Sequence, residues 1–155
     1  MGKINPDGAA LRVGSGYPSP YDLACKDRKR WRLGDVAGLT QFGVNLLRLP
    51  PGTWSSQRHW HSAEDEFVWV LEGEVVLVTD EGEQILRAGD CAGFASGVAN
   101  GHHLQNRSAR DAVLLEVGSR RPGEDACDYP DLDMVSKPLA GFSHRDSRLY
   151  ESDEK

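Results

Sequence analysis

The chain has 155 residues, enough for one domain with a real core, and 39% of them are hydrophobic. Seventeen glycines and eight prolines point to short strands and many turns rather than a helical bundle. A formal charge of −6 speaks against nucleic acid as a partner, and no apolar run reaches the ~20 residues of a membrane span.

Residues 1–38 read as an irregular arm without the apolar block of a secretory leader. Gly14-Ser15-Gly16-Tyr17-Pro18-Ser19-Pro20 favours no regular element, because glycine is permissive and proline removes a donor. The basic run Lys26-Asp27-Arg28-Lys29-Arg30-Trp31-Arg32 reads as a solvated strand or loop. From Phe42 the pattern turns to β. Strands are expected at 44–49, 54–60, 66–71, 74–79, 84–86, 91–94, 102–106 and 112–117, with a tight turn at Asp80-Glu81-Gly82. No segment shows a sustained helical period. The expectation is an all-β, single-domain barrel or sandwich over 39–120, with an extension over 121–155 that wraps the surface and ends in disorder at 151–155. Cys25, Cys91 and Cys127, odd in number and far apart, read as small, reduced, buried residues of a cytoplasmic protein.

His59 and His61 lie one residue apart, and residues i and i+2 of a strand share a face. Glu66 opens the next apolar run, and His102 stands four residues before Asn106 in His-His-Leu-Gln-Asn. Three imidazoles and a carboxylate are a ligand set for a divalent transition metal. Alternation sends Val68 and Val70 inward with Glu66 and leaves Phe67, Trp69 and Leu71 on the opposite face. Such a face needs a cover, from the arm or from a second copy of the chain, and a homodimer is expected. Gln57, His103 and Tyr17 are candidate acid/base or substrate-contacting groups, with the catalytic assignment open. Ser55 shares the phase of Gln57, and Arg48 and Arg58 are candidate anion clamps, Arg58 out of phase with His59. No phosphate-cradling glycine loop, nucleotide fingerprint or serine triad is present.

Gly52, His59-Trp60-His61, Glu66 and Gly73 resemble the first motif of the cupin superfamily, and Gly89, Gly97, His102 and Asn106 look like its second. The pattern departs in three places: an extra residue before His59, Ala95 where a proline is usual, and a small insertion, Asn100-Gly101, ahead of His102. The insertion puts His103 beside the expected ligand, and the spacing to Asn106 selects His102. The resemblance implies a jelly-roll barrel with one metal ion (Mn, Fe, Co, Ni or Zn) in its mouth, held by His59, His61, Glu66 and His102. It further implies an enzyme acting on a small oxygen-rich metabolite, by proton transfer beside a carbonyl as in the cupin portion of sugar-phosphate isomerases. An Fe(II)-dependent dioxygenase and a non-catalytic small-ligand barrel are the alternatives.

Overall fold

The chain forms thirteen strands among residues 2–150, the part that the computed structural model describes. They are β1 (Leu11–Val13), β2 (Lys29–Arg32), β3 (Phe42–Leu49), β4 (Trp60–His61), β5 (Glu66–Glu72), β6 (Glu74–Thr79) and β7 (Gly82–Arg87). Then follow β8 (Cys91–Phe94), β9 (His103–Gln105), β10 (Ala112–Ser119), β11 (Cys127–Tyr129), β12 (Met134–Lys137) and β13 (Gly141–Ser143). A single helical turn, α1 (Leu33–Val36), follows β2. Among the described residues no helix is long and apolar enough to cross a membrane.

The strands form a six-stranded sheet in the order β1-β2-β3-β10-β5-β8, a three-stranded sheet β7-β6-β9 and a four-stranded sheet β13-β12-β11-β4. Leu47 and Leu49 of β3, Val68 and Val70 of β5, and Ala112 and Leu114 of β10 meet Val75 and Leu77 of β6 and Leu104 of β9 in one core. This is the all-β jelly roll expected from the sequence. Gly73 makes the turn from β5 into β6 at φ 78°, where an added Cβ would sit 2.7 Å from the Asp111 carbonyl oxygen. Only glycine fits both the backbone conformation and the space.

Five expectations need correction. The segment 54–60 is not a strand: Trp54 and His59 make isolated bridges to Gln105 and His102, and only Trp60–His61 is regular. Arm and β9 groups take its backbone bonds instead, with Ala24 O accepting from Trp54 N at 2.9 Å and Leu104 O from Ser55 N at 2.8 Å. The arm itself is not irregular throughout, since β1 and β2 extend the six-stranded sheet. Its basic run is not simply solvated: Arg28 is buried, and Arg30 Nε lies 3.0 Å from Glu116 Oε2. Nor does the C-terminal extension merely wrap the surface, because β11 pairs with β4 and completes the sheet that carries His61. Finally, only Cys25 is fully buried; Cys91 is exposed and Cys127 half-buried. The expected disorder at 151–155 lies outside the described residues.

Candidate metal centre

His59 and His102 exchange backbone hydrogen bonds, His59 N to His102 O at 3.2 Å and His102 N to His59 O at 2.9 Å. That reciprocal bridge fixes the two histidines side by side although they lie far apart in the chain. Register sets His61 opposite Cys127 of β11 and Glu66 opposite Phe94 of β8. The His102 ring lies flat on Phe94, with centroids 3.6 Å apart and planes 1° from parallel.

The donor atoms of His59, His61 and Glu66 converge, and His102, outside that group, meets them through Glu66. His59, His61 and Glu66 each offer a ligand atom, all within 4.8 Å of one another. His59 Nε2 and His61 Nε2 are 3.1 Å apart, and His102 Nε2 is 2.8 Å from Glu66 Oε2. The same Oε2 lies 3.6 Å from His59 Nε2 and 3.4 Å from His61 Nε2. Ligands at right angles on an ion with bonds of about 2.1 Å sit about 3 Å from each other, so this spacing suits one shared ion.

The second nitrogens carry the stronger argument. His59 Nδ1 lies 2.8 Å from the Gln57 carbonyl oxygen, which can only accept. His61 Nδ1 lies 2.7 Å from Asp125 Oδ2, whose carboxyl is held below its usual range, burial being outweighed by its bonds to His61, Ala63 and Glu64. Both Nδ1 atoms therefore donate, and both Nε2 atoms present lone pairs to the same point. Two lone pairs facing at this distance repel unless a cation lies between them. The chemistry of the donor set thus fits a divalent metal, with the other ring nitrogen of each histidine oriented by an oxygen as bound histidines require. His102 differs, since its buried Nδ1 has no hydrogen-bond partner among the described residues.

Electrostatics point the same way. Burial lowers His59 to about 4, keeping the imidazole neutral. Burial alone would raise Glu66, but the His102 bond and the imidazoles of His59 and His61 outweigh it and hold the carboxyl at about 2. Cys127 Sγ sits 3.3 Å from His61 Nδ1, and its thiol is pushed up by burial and by Asp125. Cys127, Asp125 and His61 form a second group of possible ligand atoms within 4.8 Å of one another.

The cluster faces a cavity of about 460 Å³, whose lining includes Tyr17, Tyr129, five arginines and three glutamates. Tyr17 packs edge-on to Tyr129 with centroids 5.7 Å apart, and burial pushes its hydroxyl up to about 12. Of the expected polar groups, Tyr17, Ser55 and His103 line the cavity, and the Tyr17 hydroxyl is bonded to Tyr129 and to the Gln57 backbone. The Gln57 side-chain amide donates to Tyr21 O at 2.6 Å, and it is the Gln57 backbone carbonyl that orients His59. His103 has both ring nitrogens committed, Nδ1 to Ser56 O at 3.0 Å and Nε2 to the Gln105 amide at 2.9 Å. Ser55 Oγ accepts from Leu104 N at 2.9 Å. Asn106 closes a turn, its amide donating to Leu49 O and Arg110 O at 2.7 Å each. Arg48 lies 3.2 Å from Asp111, and Arg58 is clamped by Asp80 and Asp131. Neither arginine lines the cavity. The insertion also has a structural task, as Asn100 Oδ1 accepts from Asp80 N at 2.9 Å.

Asp125 escapes sequence reasoning altogether. Its only local signal is the alternation in Asp125-Ala126-Cys127, too short to read as a strand.

A jelly roll with histidines and a glutamate converging at a cavity is a β-barrel with a candidate metal centre. Residues 45–118 match the family model described as a cupin domain. The crystal structure of a sugar phosphate isomerase from the cupin superfamily of Silicibacter pomeroyi is 44% identical, covers 98% of each chain and superposes with a TM-score of 0.90. The chain belongs to the cupin superfamily. A proposed sugar phosphate isomerase from Acidithiobacillus ferrooxidans is 28% identical over 81% of this chain and 82% of its own, with a TM-score of 0.71. A protein named a predicted oxalate decarboxylase from Thermotoga maritima, 20% identical over 77% of this chain and 99% of its own at a TM-score of 0.60, shares the fold. Among curated proteins no match is found.

Proposed function

We propose that this cupin is a metal-dependent enzyme that moves a proton beside the carbonyl of a small phosphorylated sugar. The observation that carries this reading is the convergence of two histidine lone pairs and Glu66 on one point at the cavity. The structure that is 44% identical over nearly the whole chain is of a sugar phosphate isomerase, which supports the same reaction class. His59, His61, Glu66 and His102 would hold the ion, one of Mn, Fe, Co, Ni or Zn. When bound, it supplies Lewis-acid polarisation of a carbonyl and charge stabilisation of the resulting oxyanion. Tyr17, raised to about 12, keeps its proton at neutral pH and acts as a hydrogen-bond donor or acid, not as a base. The Gln57 backbone carbonyl and Asp125 orient His59 and His61. The three free cysteines suit a reducing, cytoplasmic setting.

The experiment is turnover of a panel of aldose and ketose phosphates by protein loaded in turn with each of the five metals. Interconversion lost in His61→Ala, together with the metal, supports the reading. No turnover with any metal disposes of it. Oxygen uptake without isomerisation would point to the dioxygenase alternative, and a metabolite retained unchanged would point to a non-catalytic barrel.

We also infer a homodimer through the outer face of the six-stranded sheet. Pairing registers align Trp69, Leu115, Leu46, Trp31 and Leu11 in a single row across five strands. Phe67, Trp69 and Leu71 are about 40% exposed in the single chain (38%, 46% and 44%), and the arm leaves them uncovered. A contiguous apolar face of this kind is what a second copy would bury.

A further inference from the structure

Five arginines and three glutamates line the cavity, a local basic excess in a chain of net charge −6. Four of the arginines are answered from within the fold. Arg30 Nε lies 3.0 Å from Glu116, while Arg32 Nε and Arg120 Nη2 lie 2.7 and 2.6 Å from Asp35. Arg28 donates to the carbonyl oxygens of Gly14 and Ser55.

Arg12 is the exception. Among the described residues it has no hydrogen-bond or ion-pair partner, and its guanidinium lies over Gly16, where an added Cβ would fall 2.7 Å from Nη2. The β1–β2 register sets Arg12 directly opposite Arg30, so two like charges share the inward face. Such a pair is destabilising unless an anion answers it. Glu116 answers Arg30, and all the donors of Arg12 remain available to a ligand.

We propose that Arg12 holds the phosphoryl group of the substrate, in a subsite formed by β1 and the bare backbone of Gly16. The proposal deepens the isomerase reading and rests on it for the identity of the anion. A guanidinium matches two phosphate oxygens with two parallel N–H donors, which a lysine cannot do.

The test is calorimetric titration of inorganic phosphate into the metal-loaded protein, its Arg12→Gln variant and its Arg12→Lys variant. Arg12 is exposed on a three-residue edge strand, so removing its head group leaves the core intact. Phosphate affinity is expected to fall at least 10-fold in R12Q at unchanged metal content, with R12K in between. Equal affinity in R12Q and the unaltered protein, as when phosphate sits on the metal, overturns the proposal. Arg12-dependent binding of acetate that is tighter than phosphate also overturns it. Absence of sugar-phosphate turnover alongside Arg12-dependent phosphate binding removes the isomerase reading alone. Turnover with an unchanged KM in R12Q removes the subsite alone.

Discussion

Asp125 Oδ2 lies 2.7 Å from His61 Nδ1, and the same carboxylate accepts from the backbone N–H groups of Ala63 and Glu64 at 2.9 and 3.1 Å. A residue of the C-terminal extension thus sets both the tautomer of a candidate ligand and the path of the loop after it. Such outer partners typically contribute 10- to 100-fold to metal affinity. Asp125→Asn keeps the shape and weakens the acceptor, and is expected to loosen metal binding about 10-fold. Asp125→Ala should lose more. Competition with a chelating dye at fixed pH measures this, and unchanged affinity in both variants would remove Asp125 from the site.

Acid should unfold the metal-free protein in a defined window. His59 titrates near 6.5 in an unfolded chain and is held at about 4 in the fold. Between those values the unfolded state binds a proton that the native state refuses, so stability falls as pH falls. The contribution is complete above pH 6.5 and lost as pH drops through about 4. Glu66, held at about 2, extends the same trend to lower pH, since its folded value is also depressed. The melting temperature of chelator-treated protein should therefore decline from pH 7 to pH 4. A flat profile contradicts the environment assigned to His59.

Trp69→Glu places a charge in the middle of the apolar row on the outer sheet face. Light scattering at micromolar concentration is expected to give twice the chain mass for the unaltered protein and the single mass for the variant. A monomer in both cases refutes the dimer.

Arg28 ties the arm to the histidine-bearing segment: its Nε donates to Gly14 O at 2.9 Å and its Nη1 to Ser55 O. Arg28→Met fills much of the same space and leaves both carbonyls without a charged donor. We expect a loss of about 2–3 kcal/mol in urea unfolding, in the range for hydrogen bonds to charged groups. A change below about 0.5 kcal/mol, the scatter of ordinary surface substitutions, would mean that these bonds do not hold the arm.

Apart from the segment 54–60, the main strands from Phe42 to Ser119 were legible because their apolar runs are bounded by turn residues. The closeness of His59, His61 and Glu66, with His102 beside Glu66, was legible because two of them share a local spacing and the others stand at motif distances. The alternation of Glu66, Val68 and Val70 against Phe67, Trp69 and Leu71 also carried through to the observed faces. What stayed hidden depends on pairing between distant segments. Arg30-Trp31-Arg32 alternates with period two, yet a mainly charged strand resembles a solvated loop until Glu116 and Leu46 are known to face it. Gln57 had the right phase for the site but no strand to enforce it, and its amide turned to Tyr21.

The two-residue strand β4 has β11 along one edge, while its neighbour His59 is bridged to His102. The matched family region stops at residue 118, short of β11. Transplanting that central region alone into another protein would therefore carry His61 across with a naked border and without the carboxylate that aims its ring. Any fragment cut from this chain to keep the site must bring both flanks along.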